Sequence, residues 1–304
     1  MGAGGQPADH GHDQGGRLTR RLVPYLFILP SFLFLVAFVF WPLLRALYLS
    51  LTKWAMIGPP PRFVGANNYL RLLDDPQFAT AVGNTAYYTA GSVPTGIAVG
   101  LGLALLMNQP LRARGLLRSA YFFPTVTSTV AVSLVWLYMF DVHLGVVNYL
   151  LDLVGLPPQK WLHDPVMAMP VVVLYGLWHG VGYTMMIFLA GLQAIPADLY
   201  EAAMVDGAGR AAGFRHITLP LLRPVTLFVL ITSVIGSFKV FDAVYVMTRG
   251  GPGYATMPMV QYIYMTAFEA FEMGYASAMA VALFAIVLAL TLAQLRLFGG
   301  EADR

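Results

Sequence analysis

Charge is what this sequence has least of. Of its 304 residues only 11% are Asp, Glu, Lys or Arg, 58% are hydrophobic, and the mean hydropathy is +0.67. Soluble globular chains carry roughly 25% charged residues, so the deficit excludes an ordinary water-soluble domain and places the chain among membrane proteins. Cysteine is absent, which excludes disulfides and thiolate metal sites and leaves the redox compartment unread. No glycine-rich phosphate loop ending in Gly-Lys-Ser/Thr occurs, so nothing of that kind cradles ATP here. Paired carboxylates, a His cluster or an activated Ser near one membrane face are also missing. No catalytic residue and no metal ligand is therefore expected. The net charge is only +3. The basic residues sit in short clusters beside apolar runs, a pattern of membrane topology rather than nucleic-acid binding.

What the chain does have is long apolar runs. A bilayer core of about 30 Å needs about 20 apolar residues in helix. Six segments qualify: 25–44, 85–107, 119–140, 166–192, 225–247 and 275–295. The fourth carries only His179, and the fifth carries Lys239 and Asp242; the others are uncharged. Pro94, Pro124 and Pro170 fall within or near these runs, and membrane helices tolerate proline when neighbours re-satisfy the freed carbonyls. The expected fold is an all-α polytopic bundle of six transmembrane helices. The basic stretch from Arg17 resembles the start of a signal peptide, but the apolar run after it is too long and lacks a small-residue cleavage site. It reads as a retained first span.

Arg and Lys in the loops set the orientation. With the N-terminus inside, the inner segments hold Arg17, Arg20, Arg21, Arg112, Arg114, Arg118, Arg210, Arg215, Arg223, Arg296 and Arg304. The outer loops then hold Lys53, Arg62, Arg71, Lys160 and Arg249. Both termini are expected in the cytoplasm. Residues 1–21 read as a disordered tail, in which His10 and His12 have too little geometry to form a metal site; 22–298 form the transmembrane domain, and 299–304 a second tail. Gly96 with Gly100, and Gly176 with Gly180, repeat at a spacing that suits close helix packing and also occurs on lipid-facing surfaces.

The loop 193–223 is the most informative stretch. Pro196 suits a first helical turn, and Asp198 and Glu201 lie near the positive end of that helix dipole. Ala202 and Ala203 are strong helix formers with little bulk, and Asp206-Gly207 is a stop signal. A second short helix is expected from 208 to about 216, ended by Pro220 after Leu219. A knob of this shape suits either transmission of a push from a soluble partner or a plain helical connector.

Glu201-Ala202-Ala203, then Gly207, then Ile217, Leu219 and Pro220 resemble the cytoplasmic signature loop of ABC importer permeases. The likeness extends over about 20–298. The stretch Tyr25-Leu26-Phe27-Ile28-Leu29-Pro30 with Trp41-Pro42 resembles the first span of sugar-type permeases, and Phe63-Val64-Gly65 with Asn68-Tyr69 the segment after it. Phe241-Asp242, Val244-Tyr245, Met247-Thr248 and Gly250-Gly251-Pro252 resemble a stretch found in one of the two permease types of maltose- and glycerol-phosphate-like systems. The resemblance implies a coupling helix between spans 4 and 5 that docks into a cleft of an ATPase subunit, with Glu201, Ala202, Ala203, Asp206, Gly207, Leu219 and Pro220 as the coupling residues. It also implies a second permease subunit, two ATPase subunits that hold ATP and Mg, an extracytoplasmic solute-binding protein, and a sugar or sugar-like solute. This chain itself would then bind no cofactor and be no enzyme. The alternative is a secondary transporter or channel subunit. That class uses buried acids for ion coupling or an inverted repeat, and here the spans carry no deep Glu and no two halves look alike.

Ionisable groups within spans are functional candidates by default. Lys239 and Asp242, three apart, would share a helix face in the outer half, either lining the solute path or pairing with each other. His179, flanked by Tyr175, Trp178 and Tyr183, has the aromatic company that sugars stack on; it also reads as a His bonded to a neighbouring helix. The outer loops 141–165 and 249–253, with the aromatics Tyr262, Tyr264, Phe268 and Phe271, suit receptor docking and an interfacial aromatic belt equally.

Overall fold

The structure, a computed structural model, describes residues 14–110 and 112–299. Helix α1 (Gln14–Leu35) continues through a π-helical turn, Val36–Phe40, into α2 (Trp41–Ser50). Strands β1 (Thr52–Lys53) and β2 (Arg62–Phe63) then form an antiparallel ladder that pairs Thr52 with Phe63 and Lys53 with Arg62. Next come α3 (Asn67–Asp74), α4 (Pro76–Met107), α5 (Arg114–Val126), α6 (Thr129–Met139), α7 (Val146–Leu153) and α8 (Ala168–Gln193). The chain continues with α9 (Ala197–Val205), α10 (Arg210–Gly213), α11 (Leu219–Leu221), α12 (Arg223–Phe238), α13 (Asp242–Met247), α14 (Met259–Tyr264) and α15 (Met273–Gln294). Part of the expected tail, from Gln14 onward, is thus helical, as Leu and Arg allow. His10, His12 and the C-terminal tail beyond 299 lie outside the described residues.

Among the described residues, five helices are long and apolar enough to cross a bilayer: Pro24–Ser50, Pro76–Met107, Ala168–Gln193, Arg223–Met247 and Met273–Phe298. A sixth exists only if α5 and α6 count together, and these two meet at 96°. The apolar run at 119–140 is therefore not the single straight helix that its length suggests. The bend has a local cause. Pro124 removes a backbone donor near the end of α5, Thr127 is extended at φ −82° and ψ 156°, and Ser128 caps the start of α6 through Ala131 N. Thr125 Oγ1 donates to the His179 carbonyl at 2.9 Å, which fixes the corner against α8. The first span is also longer than its apolar run. It takes in exposed Arg45, about 8 Å along the helix from Ser50, a depth from which an arginine reaches the interface. Helix α4 begins nine residues earlier than expected, where Asp75 caps it through Gln77 N and Phe78 N and Pro76 occupies its first turn.

The centre of the bundle is α4 against α8. A Cβ at Gly91 would meet Val173, one at Gly96 Leu177, and one at Gly100 Thr184. Numbers rise together on both helices, so α4 and α8 run parallel. Gly176 faces the Tyr88 hydroxyl, whereas Gly180 has open space before it. Three of the four predicted glycines therefore serve the helix interface and one does not. Gly182, which spacing does not single out, lies directly against the Tyr121 carbonyl and lets α5 approach α8. One apolar cluster gathers Met185, Phe188, Leu222 and Val229, and another, at the opposite end, gathers Trp136, Phe140, Tyr175 and Met247. By contrast, no residue of 24–49 is buried. A helix so apolar and so uncovered is stable only in lipid or against another chain.

Candidate functional site

Helices α4, α8 and α12, with the end of α5, enclose a recess of about 370 Å³, a volume in the range of small-molecule sites. Its wall is rich in hydroxyls, among them Tyr88, Ser92, Thr125, Thr232, Ser233 and Ser237, and it holds no Asp, Glu, Lys or Arg. Several hydroxyls are spent on carbonyls one turn back, as Ser92 is on Tyr88 and Thr232 on Phe228. Their oxygens keep acceptor capacity toward the recess. Thr89 and Ser237 join α4 to α12 at 2.9 Å.

His179 and Tyr183 line this recess. The His179 ring stacks on Tyr175 with centroids 5.6 Å apart, while its buried Nε2 has no hydrogen-bond partner among the described residues. An unsatisfied buried polar atom costs about 1–3 kcal/mol. Tyr175 itself is 2% exposed; it donates to Thr129 O at 3.1 Å and meets Trp136 edge-on, so it backs His179 rather than lining the recess.

Lys239 and Asp242 do not share a helix face. Helix α12 ends at Phe238, where Lys239 N turns back to Gly236 O and Val240 N to Ser237 O. Phe241, at φ −146° and ψ −64°, is neither helical nor extended, and Asp242 opens α13, where its charge suits the helix N-terminus. Both side chains are exposed, and no ion pair forms between them. Equal spacing places residues together only if the helix runs through, and this one stops at Phe238.

The loop after α8 folds into a two-armed knob. Pro196 lies just outside α9, one position before the expected first turn. At its far end Ala208 N donates to Ala203 O at 2.8 Å and Gly207 N to Met204 O at 3.1 Å, with Gly207 at φ +79°. This is a Schellman stop, in which the left-handed residue is tolerated because it has no Cβ. The second arm runs from Arg210 to Leu221 and does not end at Pro220. Residues Phe214–Thr218 are π-helical, and the wider turn absorbs the missing proline donor. The Tyr200 and Thr218 hydroxyls join the arms at 2.8 Å. Glu201, Ala202, Asp206, Gly207, Leu219 and Pro220 are exposed and Ala203 is half-buried. Met204 and Val205 are exposed apolar residues at the tip, Val205 at 88%, and Leu199 is exposed near the start of α9; residue spacing alone does not mark them.

At the opposite end, Asp75 ties α4 to α14 and α15. Its Oδ2 accepts from the Tyr262 hydroxyl at 2.7 Å and the Tyr275 hydroxyl at 2.6 Å, and its Oδ1 holds the cap. Burial pushes this carboxyl up, but the Tyr275 and Tyr262 hydroxyls and the amides of Phe78 and Gln77 outweigh it and hold it below the ordinary carboxylate range. Its stabilisation is therefore full above the unfolded value of about 3.9 and is lost as pH falls through the lower folded value. Asp75→Asn is expected to destabilise the protein by about 1–2 kcal/mol at neutral pH and to weaken the fall in melting temperature below about pH 4. Melting curves of both proteins from pH 7 to pH 3 check this.

A bundle of membrane-length helices beside a recess free of Asp, Glu, Lys and Arg, with a two-armed knob between two spans, is the architecture of a multi-pass membrane protein. Residues 96–298 match the family described as binding-protein-dependent transport system inner membrane components, and the chain belongs to that family. It is 35% identical over 272 residues to the trehalose/maltose transport system permease protein MalF of Thermococcus litoralis, covering 90% of this chain and 92% of that one. It is 35% identical over 284 residues to the arabinooligosaccharides transport system permease protein AraP of Bacillus subtilis, covering 92% and 90%. The fold is also that of a chain in the crystal structure of a bacterial ABC transporter that imports alginate, with a TM-score of 0.83, 22% identity, and coverage of 94% and 98%. The protein is thus a transport subunit of the inner membrane rather than an enzyme.

Proposed function

We propose that this chain is one of two permease subunits of an ATP-driven ABC importer and carries a neutral sugar or sugar-like solute delivered by an extracytoplasmic binding protein. The observation that carries this reading is the recess: many hydroxyls, no Asp, Glu, Lys or Arg, and the His179 residue among its lining. A neutral polyhydroxylated solute matches those groups without leaving a charge unpaired. The sugars named for relatives such as MalF and AraP support the same class.

Parallel packing of α4 and α8 supports six crossings. If both helices cross in one direction, the chain between them must return, and the bent pair α5–α6 is the only membrane-length segment there among the described residues. Six crossings put both termini on one side, and the arginine-rich segments make that side the cytoplasm. The knob then hangs inside, where Glu201, Ala202, Ala203, Asp206, Gly207, Leu219 and Pro220 meet one of two ATPase subunits, which supply ATP and Mg. His179→Ala tests the solute path. With insertion and assembly unchanged, uptake is expected to fall by about tenfold, one lost hydrogen bond of about 1–1.5 kcal/mol. Wild-type uptake removes His179 from the path.

A further inference from the structure

A second recess, of about 550 Å³, lies where three spans end. Strand β1 starts two residues after Ser50, Arg71 lies five residues before Pro76, and Glu272 and Tyr275 flank the start of α15. Its wall presents Lys53, Arg62 and Arg71 against one carboxylate, Glu272. That carboxylate is already taken: Arg71 contacts Glu272 at 2.5 Å and lies over the Tyr275 ring at 3.9 Å. Lys53 and Arg62 have no such partner among the described residues. They are also cross-strand neighbours in the β1–β2 ladder. Like charges directly opposite each other destabilise a ladder, so the arrangement calls for an anion from outside the chain.

We propose that this recess seats the phosphate of an anionic phospholipid. The surroundings favour lipid over an acidic protein segment. Trp54 lines the recess, as indoles do at a membrane interface. Ile57, Phe63 and Leu73, near the lining residues in sequence, are 75%, 66% and 83% exposed, apolar surface that acyl chains can cover. An anionic headgroup held by Lys53 and Arg62 removes their mutual repulsion and pins the segment after the first span to the starts of α4 and α15. The inference needs only that the chain sits in a membrane, so it stands apart from the solute and from the ATPase.

The test uses the full-length protein in nanodiscs of phosphatidylcholine with phosphatidylglycerol, with the retained lipids counted by native mass spectrometry. Juxtamembrane cations contribute roughly fivefold each to anionic-lipid binding, so the wild type is expected to enrich phosphatidylglycerol roughly 25-fold over phosphatidylcholine. Lys53→Gln with Arg62→Gln is expected to bring that ratio close to unity. The swap Lys53→Arg with Arg62→Lys keeps it, and Arg249→Gln in another loop leaves it unchanged. Should the double variant fail to fold, the single variants read the same quantity as graded losses. Enrichment that survives double neutralisation overturns the proposal. So does an equal loss with Arg249→Gln, or displacement of the lipid by inorganic phosphate at matched concentration, which would mark a site for a free anion.

Discussion

Gly180→Leu is expected to leave the protein inserted and assembled while cutting solute uptake by about tenfold or more. Gly180 lies in the helical backbone of α8, and a Cβ placed there meets no heavy atom within 4 Å. The first side-chain atom therefore meets no clash at that position, and exchanging a helical glycine contributes up to about 1 kcal/mol in its favour. Gly180 lines the same recess as His179, Tyr183 and Ser233, so the added side chain is expected to take the solute's volume there and offers no hydrogen bond. Uptake assays with proteoliposomes, alongside melting curves, separate the two effects. Undiminished uptake with a stable protein would place the solute route elsewhere.

Gly207→Trp is expected to uncouple nucleotide hydrolysis from transport. Gly207 sits at φ +79°, and a Cβ at this position would have open space for 4 Å around it. The substitution therefore costs about 1–2 kcal/mol of backbone strain without a clash inside this chain. An indole at the knob's tip, beside exposed Met204 and Val205, keeps a partner from closing over it. Uptake is expected to drop by about tenfold or more, while hydrolysis by the assembled complex continues without solute movement. Gly207→Asn is the control, since asparagine tolerates the left-handed conformation with a smaller side chain. If Gly207→Trp transported at the wild-type rate, the knob would be a connector and nothing more.

Much of this architecture is legible in the residues, and the exceptions share a cause. Apolar length locates the crossing segments because a bilayer demands it, and the helix stop at Gly207 is readable because only one residue type takes that conformation freely. Breaks inside apolar runs are harder. Pro124 marks a kink without saying how far it turns; the 96° angle comes from extended Thr127, the Ser128 cap and the hydroxyl of Thr125 on α8, which are tertiary facts. Lys239 and Asp242 mislead because spacing presumes an unbroken helix, and α12 stops one residue before Lys239. Pro220 misleads in the opposite sense, since a π-helical turn lets the helix pass through it. In the recess, His179 and Tyr183 announce themselves as polar or aromatic groups in a span. Ser92, Thr232 and Ser237 do not, because a hydroxyl in an apolar run reads equally well as one bonded to its own helix. Asp75 is hidden because the tyrosines that hold it lie about two hundred residues away.

The most direct test exploits the absence of cysteine. Glu201→Cys, on the exposed face of α9, gives a single thiol whose reaction with a membrane-impermeant maleimide reports both side and contact. The expected result is labelling only from the cytoplasmic side, suppressed when the ATPase subunits are bound. Labelling from the outer side, or equal labelling with and without those subunits, would contradict a knob that couples this permease to ATP hydrolysis.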